Sequence, residues 1–381
     1  MSKRDQSPIV FPGLDVGKAK RYSRVRLTFL LLGLAETAAQ SLWFAFSGRS
    51  VALRQRTTHL VPNRRLAVPF YVAIVTLAGW VMHLPQSYLS GHVVERRFGL
   101  TKQRWTGWLT DELKGFGLGI FLQVPLITGA YAVIKRRPKD WWLVLSAATL
   151  PLSVVLGHLA PVLIMPLFNT YTPLGDRVLA ERIKALAARS GVKIADVYVM
   201  DMSRQTEKAN AFFAGLGNTK RIVLSDTLLN QFNYEEIEAV VAHELGHQVH
   251  GDIWRLVGFG TVVGGASAFA AQRLAEPLVN RTRQRTGIRG IEDIASTPLL
   301  GLVLAGIGLF IMPVQNAFTR AIERRTDKFG IQLTGDGPTY ARTMTRLATQ
   351  NLEDPDPPAA LVFLLYSHPP AADRVRDALA S

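Results

Sequence analysis

The sequence predicts a mainly α fold, a transmembrane helical bundle of about six spans interrupted by a small mixed α and β unit, and three observations predict it. Of the 381 residues, 48% are hydrophobic, a fraction that suggests apolar spans diluted by polar domains. Six stretches approach the roughly 20 apolar residues that a bilayer-crossing helix needs. Between the fourth and fifth of them, residues 168–251 lose these long runs and read as short strands and amphipathic helix.

The spans are placed at Val25–Phe46, Ala67–Ser90, Gly115–Ile134, Trp141–Met165, Trp254–Gln272 and Pro298–Phe318. The first follows Lys18, Lys20, Arg21, Arg24 and Arg26 as a signal peptide follows its basic end. Its apolar stretch is longer than a signal's and has no small-residue cleavage site before Trp43, so it reads as an uncleaved span. Within it, Glu36 is ionisable at membrane depth, which points either to a polar cavity or to a hydrogen bond between helices. The fifth span has a glycine-rich core and Arg273 near its end, so it also suits a helix packed inside protein.

In the polar unit, Arg182–Arg189 reads as a helix, and Asp196–Met200 and Arg221–Leu224 read as strands. The chain therefore divides into residues 1–167, an arm and four spans; 168–251, the polar unit; 252–318, two spans; and 319–381, a helical polar end broken at Asp354–Pro358. Net charge is +15. The basic residues sit in short clusters beside apolar runs, the pattern of a protein that meets lipid head groups and not nucleic acid. With no cysteine, disulfides, thiolate metal sites and cysteine nucleophiles are excluded. An even span count puts both termini on the side of the polar unit. The arm with Lys3, Arg4 and the five basic residues named above favours the cytoplasm for that side, although the opposite loop carries Arg49, Arg54, Arg56, Arg64 and Arg65.

Residues 240–252 read VVAHELGHQVHGD. Positions four apart share one helix face, so His243 and His247 can present two nitrogens to one cation, with Glu244 beside them to take a proton from water. Asn233 with Glu236 resembles a capping box, and Ile237, Val240, Val241 and Leu245 form an apolar stripe, so the motif lies on a helix. Such a short pattern also arises by chance. A third ligand is needed. The position six residues past His247 is Ile253, not histidine, and His250 lies seven residues past His243, about 10 Å along the axis and too far for bonds of about 2 Å. TRAIERRTDKFG at 319–330 offers Glu323 and Asp327 one turn apart. One could bind a metal while the other accepts a histidine N–H. By charge pattern alone, a solvated face balancing Arg320, Arg324 and Arg325 is the better reading.

The stretches VERRFGLTKQRW, PVLIMPLFNTYTPLGD, VYVMDMSRQTEKANAFFAGLGNTKRIVLSDTLL, EEIEAVVAHELGH, ERRTD and YSHPPAADRV follow in this order. Through them most of the chain resembles the integral-membrane zinc metalloproteases of the type I CAAX prenyl protease family, related to heat-shock membrane metalloproteases. The resemblance implies a gluzincin-like peptidase unit with a short β-sheet and one Zn2+ per chain on His243, His247 and Glu323. It implies Glu244 as general base, Asp327 as support for a ligand, and Asn210, Ala211 and Phe212 as an edge strand that pairs with substrate backbone. His368 would donate to the oxyanion, and Arg374, which matches the family's arginine near the C-terminus, would contact substrate. The expected activity is a membrane-embedded metalloendopeptidase acting on CAAX-type C-terminal tails, with or without a lipid, or on misfolded membrane proteins. Eukaryotic members have seven spans around a closed chamber, and six are counted here. A non-catalytic scaffold or gate is the alternative, but it would need none of the four motif residues. A site-2 type protease would need an Asp-Gly pair in a later span, and Asp336-Gly337 follows the last one.

Overall fold

The computed structural model describes residues 9–61, 63–215 and 220–381. Lys3 and Arg4 of the basic arm and residues 216–219 of one resembling stretch lie outside them. Asp15 opens α1 (Val16–Phe46) by accepting the Lys18 N–H at 2.8 Å. A short polar helix, α2 (Arg49–Leu60), leads to α3 (Arg64–Tyr88), which runs on through a π turn into α4 (Glu95–Phe98) and stops at Gly99, whose φ of 80° favours glycine. There follow α5 (Trp105–Arg136) and α6 (Trp141–Leu159). After the polar unit come α10 (Asp252–Thr286) and α11 (Thr297–Thr334). Among the described residues, five helices are long and apolar enough to cross a bilayer, and the count rises to six if the bent pair Trp141–Gly157 and Ala160–Leu167, at 42°, crosses as one broken span and does not re-enter.

These helices expose apolar side chains that water would penalise. Phe310 is 86% exposed, and the apolar window of α10 has no buried residue although Phe269 packs on Trp142 of α6, so this surface suits lipid better than water. At membrane depth, Glu36 lies 3.3 Å from His83 on α3 and accepts from Gln40 at 2.8 Å. His83 in turn lines a cavity of about 570 Å³ with Trp80, Asp111 and Glu112. Glu36 thus makes the interhelical contact, and it is His83, its partner, that borders the cavity.

The polar unit holds β1 (Tyr171–Pro173), α7 (Arg177–Arg189), β2 (Asp196–Met200), β3 (Ala211–Ala214), β4 (Arg221–Ser225), α8 (Asp226–Gln231) and α9 (Tyr234–His250). The sheet order is β1-β2-β4-β3, so β3 is an edge strand, antiparallel to β4. Leu179, Ile183 and Leu186 of α7 share a core with Ile222 and Leu224 of β4 and with Val241 and Leu245 of α9. The chain ends in α12 (Gly337–Gln350), α13 (Ala359–Leu365) and α14 (Ala371–Leu379). Tyr340 and Met344 of α12 pack on Ala371 and Val375 of α14, and Phe11 of the N-terminal arm joins them.

One crossing positions the site. α11 leaves the bilayer and lies against α9, where a Cβ on Gly246 would stand 2.9 Å from Thr326 Cγ2 and one on Gly330 would stand 3.2 Å from the His243 backbone nitrogen. Larger residues at either glycine would push the two helices apart.

Candidate metal centre

The motif helix is fixed at both ends. Asn233 Oδ1 accepts the Glu236 N–H at 2.9 Å, and Glu236 Oε2 accepts the Asn233 N–H at 3.0 Å, a complete capping box. At the other end Gly251, at φ 63°, turns the chain into α10. With Ile237, Val241 and Leu245 in the core, His243 and His247 turn toward α11, their rings perpendicular at 4.9 Å.

There they meet Glu323. His243 Nε2 lies 3.3 Å from Oε2 and His247 Nε2 lies 3.6 Å from Oε1, and the three ligand atoms all fall within 4.8 Å of one another. A tetrahedral ion with bonds of about 2.0–2.1 Å sets its ligands about 3.3 Å apart. Glu323 Oε2 is buried with no hydrogen-bond partner among the described residues, an orphan that a cation would satisfy. Two imidazoles and one carboxylate therefore fit a catalytic divalent metal.

The far nitrogens fix the tautomers. His243 Nδ1 lies 2.9 Å from Asp327 Oδ1, and that carboxylate also accepts from Tyr340 Oη at 2.8 Å and from Arg374 Nη2 at 2.6 Å and Nε at 2.9 Å. His247 Nδ1 lies 2.9 Å from Asp252 Oδ2, and Arg325 bonds the other oxygen of Asp252. When each Nδ1 hydrogen donates to its carboxylate, as a bound cation would require, each Nε2 is left with its lone pair toward Glu323. Burial pushes the carboxyl of Glu244 above its ordinary value, against the opposing pull of the two histidines. A base raised this way holds a water's proton better near neutral pH.

The other sequence-predicted residues are placed as follows. His368 reaches the same carboxylate, its Nε2 3.5 Å from Glu323 Oε2, with a side chain 58% exposed. Arg320 secures the approach to it by donating to the carbonyls of Val362 at 2.9 Å and Tyr366 at 2.5 Å. Asn210 and Ala211–Phe212 lead into and begin the edge strand. Arg374 is mostly buried with its donors on Asp327. His250 lies away from the donor set, its ring 5.4 Å from that of Phe329. Sequence reasoning missed Asp252, Arg325 and Tyr340. Asp252 closes the quoted motif, but only the turn at Gly251 brings it back onto His247, and Arg325 read as surface charge.

Residues 173–381 match peptidase family M48, and residues 11–170 match the CAAX prenyl protease N-terminal region of five membrane helices. The chain belongs to peptidase family M48. It is 30% identical to an uncharacterized metalloprotease, YhfN, of Bacillus subtilis over 96% of its own length and 85% of that protein. It is 31% identical to a CAAX prenyl protease 1 homolog of Oryza sativa subsp. japonica, over 82% of this chain and 73% of that one. Its fold matches the crystal structure of S. mikatae Ste24p with a TM-score of 0.86 at 24% identity, covering 99% of this chain and 93% of that one. This M48 peptidase is thus a multi-pass membrane metalloendopeptidase acting on peptide or protein, and the scaffold alternative is not favoured.

Proposed function

We propose that this chain is a zinc-dependent endopeptidase in which His243, His247 and Glu323 hold the ion, Glu244 is the base, and Asp327 and Asp252 orient the histidines. The observation that carries the reading is the convergence of two Nε2 atoms on a buried carboxylate at 3.3 and 3.6 Å. When bound, zinc supplies a Lewis acid for the scissile carbonyl and lowers the pKa of a water. The chain supplies the rest. Glu244 takes the proton of the attacking water and passes it to the leaving amine. His368 faces the developing oxyanion from beside Glu323. The stretch Asn210, Ala211 and Phe212 carries the edge strand along which an extended substrate adds as a further strand, while Arg374, expected to contact substrate, instead holds Asp327 and through it His243.

The substrates we assign are C-terminal tails of the CAAX type, lipidated or not, supported by relatives named CAAX prenyl protease 1; misfolded membrane proteins are the second class, and nucleic acid is not a partner. The polar unit and both termini face the cytoplasm in this reading, supported by the basic start of α1. Reporters fused after Ser381 and inserted near Gly290 should then give opposite signals, cytoplasmic only for the first; cytoplasmic activity at Gly290 alone reverses the orientation.

The experiment that tests the chemistry is Glu244→Gln. Zinc per purified chain should remain near that of the parent, because Glu244 is no ligand, while cleavage of an unfolded peptide falls by at least ~100-fold, since an amide cannot accept the proton. Full cleavage by the variant, or cleavage by the parent that a zinc chelator leaves untouched, would refute the reading.

A further inference from the structure

Two of the sequence stretches that the metal centre leaves unused, VERRFGLTKQRW and EKANAFF, meet each other in space. Glu95, at the end of the second span, lies 2.9 Å from Lys208 Nζ. Tyr22 of α1, buried against Phe98 and Leu100, completes the cluster: its hydroxyl bonds Glu95 and accepts from Lys208 Nζ at 3.0 Å. Lys208 stands three residues before β3.

The backbone between them is tied just as closely. Leu100 O accepts the Glu207 N–H at 2.9 Å and the Thr206 hydroxyl at 3.0 Å, and the Thr101 hydroxyl bonds Gln205 O at 2.7 Å. From the other side, Gln350 Nε2 donates to Glu207 O at 2.7 Å and Asn351 Oδ1 accepts the Ala209 N–H at 3.2 Å. The lead-in to the edge strand is thus clamped between the loop joining the second and third spans and the end of α12. Asn210 then turns its N–H to Ser225 Oγ at 3.0 Å and its carbonyl to the Ser225 N–H at 2.9 Å, both toward β4. By the alternation of an antiparallel pair, Ala211 and Phe213 present their N–H and C=O groups at the open edge.

We infer that the Glu95–Tyr22–Lys208 cluster, built from the first two membrane helices, sets the position of the open edge of β3 and thereby the register in which a peptide is bound. Glu95 and Lys208 are positioning residues for substrate pairing. None of the three touches the metal donors, so the proton transfers do not depend on them. The groups at the edge do, because a strand that slides by one residue presents its hydrogen bonds to the wrong side. Lys208 and Glu95 are each mostly shielded from water, with side-chain exposures of 26% and 17%, so the pair is more than a screened surface contact. The inference rests on the strand-addition reading proposed above.

The test uses the full-length protein with zinc in proteoliposomes. Lys208→Met and Glu95→Gln should each raise KM about tenfold, the scale of one charge-assisted hydrogen bond, while kcat stays within about twofold and zinc per chain is unchanged. Lys208→Arg should recover most of the loss, and the exchanged pair Glu95→Lys with Lys208→Glu should recover part of it. Unchanged KM in both single variants, or kcat and zinc falling together at constant KM, overturns the assignment. A parallel set of peptides carrying one N-methylated bond each examines strand addition by itself. Loss of cleavage at alternating bonds supports it. If alternation holds while the Lys208 and Glu95 variants bind normally, only the positioning role fails; without alternation, strand addition fails and the positioning role with it.

Discussion

The two histidines of the proposed metal centre stand on different supports. His243 leans on Asp327, buried between α11, α12 and α14, where Tyr340 and both Arg374 donors converge on one carboxylate. His247 leans on Asp252 at the first turn of a membrane span, held by Arg325, whose side chain is 31% exposed. One arm is locked into the C-terminal helices, and the other is joined to the bilayer. The difference teaches that a histidine ligand needs a carboxylate behind it, while what stands behind the carboxylate decides how costly its loss becomes.

Three substitutions sharpen or break this contrast. The largest effect should come from Glu323→Gln, which removes the ligand common to both arms. A neutral amide is a poor zinc donor, so metal and peptide cleavage should both be lost, with affinity reduced at least ~100-fold. Retention of full zinc and activity would return ERRTD to a charged helix face. Next comes Asp327→Asn. It should lower zinc affinity by about 100-fold, the upper end for a group that orients a ligand, and should also lower the thermal midpoint of the metal-free protein, because Arg374 is left buried without its counter-charge. Asp252→Asn should cost about tenfold in affinity with a smaller thermal shift, since Arg325 can reach water. Equal thermal shifts for the two variants, read side by side in detergent, would erase the distinction between the arms.

Much of this centre was legible in the sequence because its cues are local. The capping box, the i, i+4 histidines and the apolar stripe of α9 all lie within one helix, and five of the six expected spans announce themselves by length and hydropathy, the fourth being the bent pair. Glu323 was different. On its own helix it is one acid among arginines, and what separates a ligand from a surface charge is the crossing permitted by Gly246 and Gly330. Asp252, Arg325 and Tyr340 went unread for the same reason. Nor does the end of the apolar run at Phe318 end α11, because nothing in Thr319–Gly330 stops a helix, and so the span and the ligand-bearing turn are one element. Arg320 read as a solvated counter-charge, yet it is buried and holds the chain that leads to His368.

That continuity of α11 has a mechanical side. Its 38 residues make a shaft about 57 Å long, with Pro313 inside the apolar stretch and Glu323 on the arm beyond it. Span tilt adjusts to bilayer thickness. In this peptidase a thinner or thicker membrane would therefore bear on the same helix that carries the proposed metal ligand, and the lipid composition around the protein would act on the geometry of its donor set.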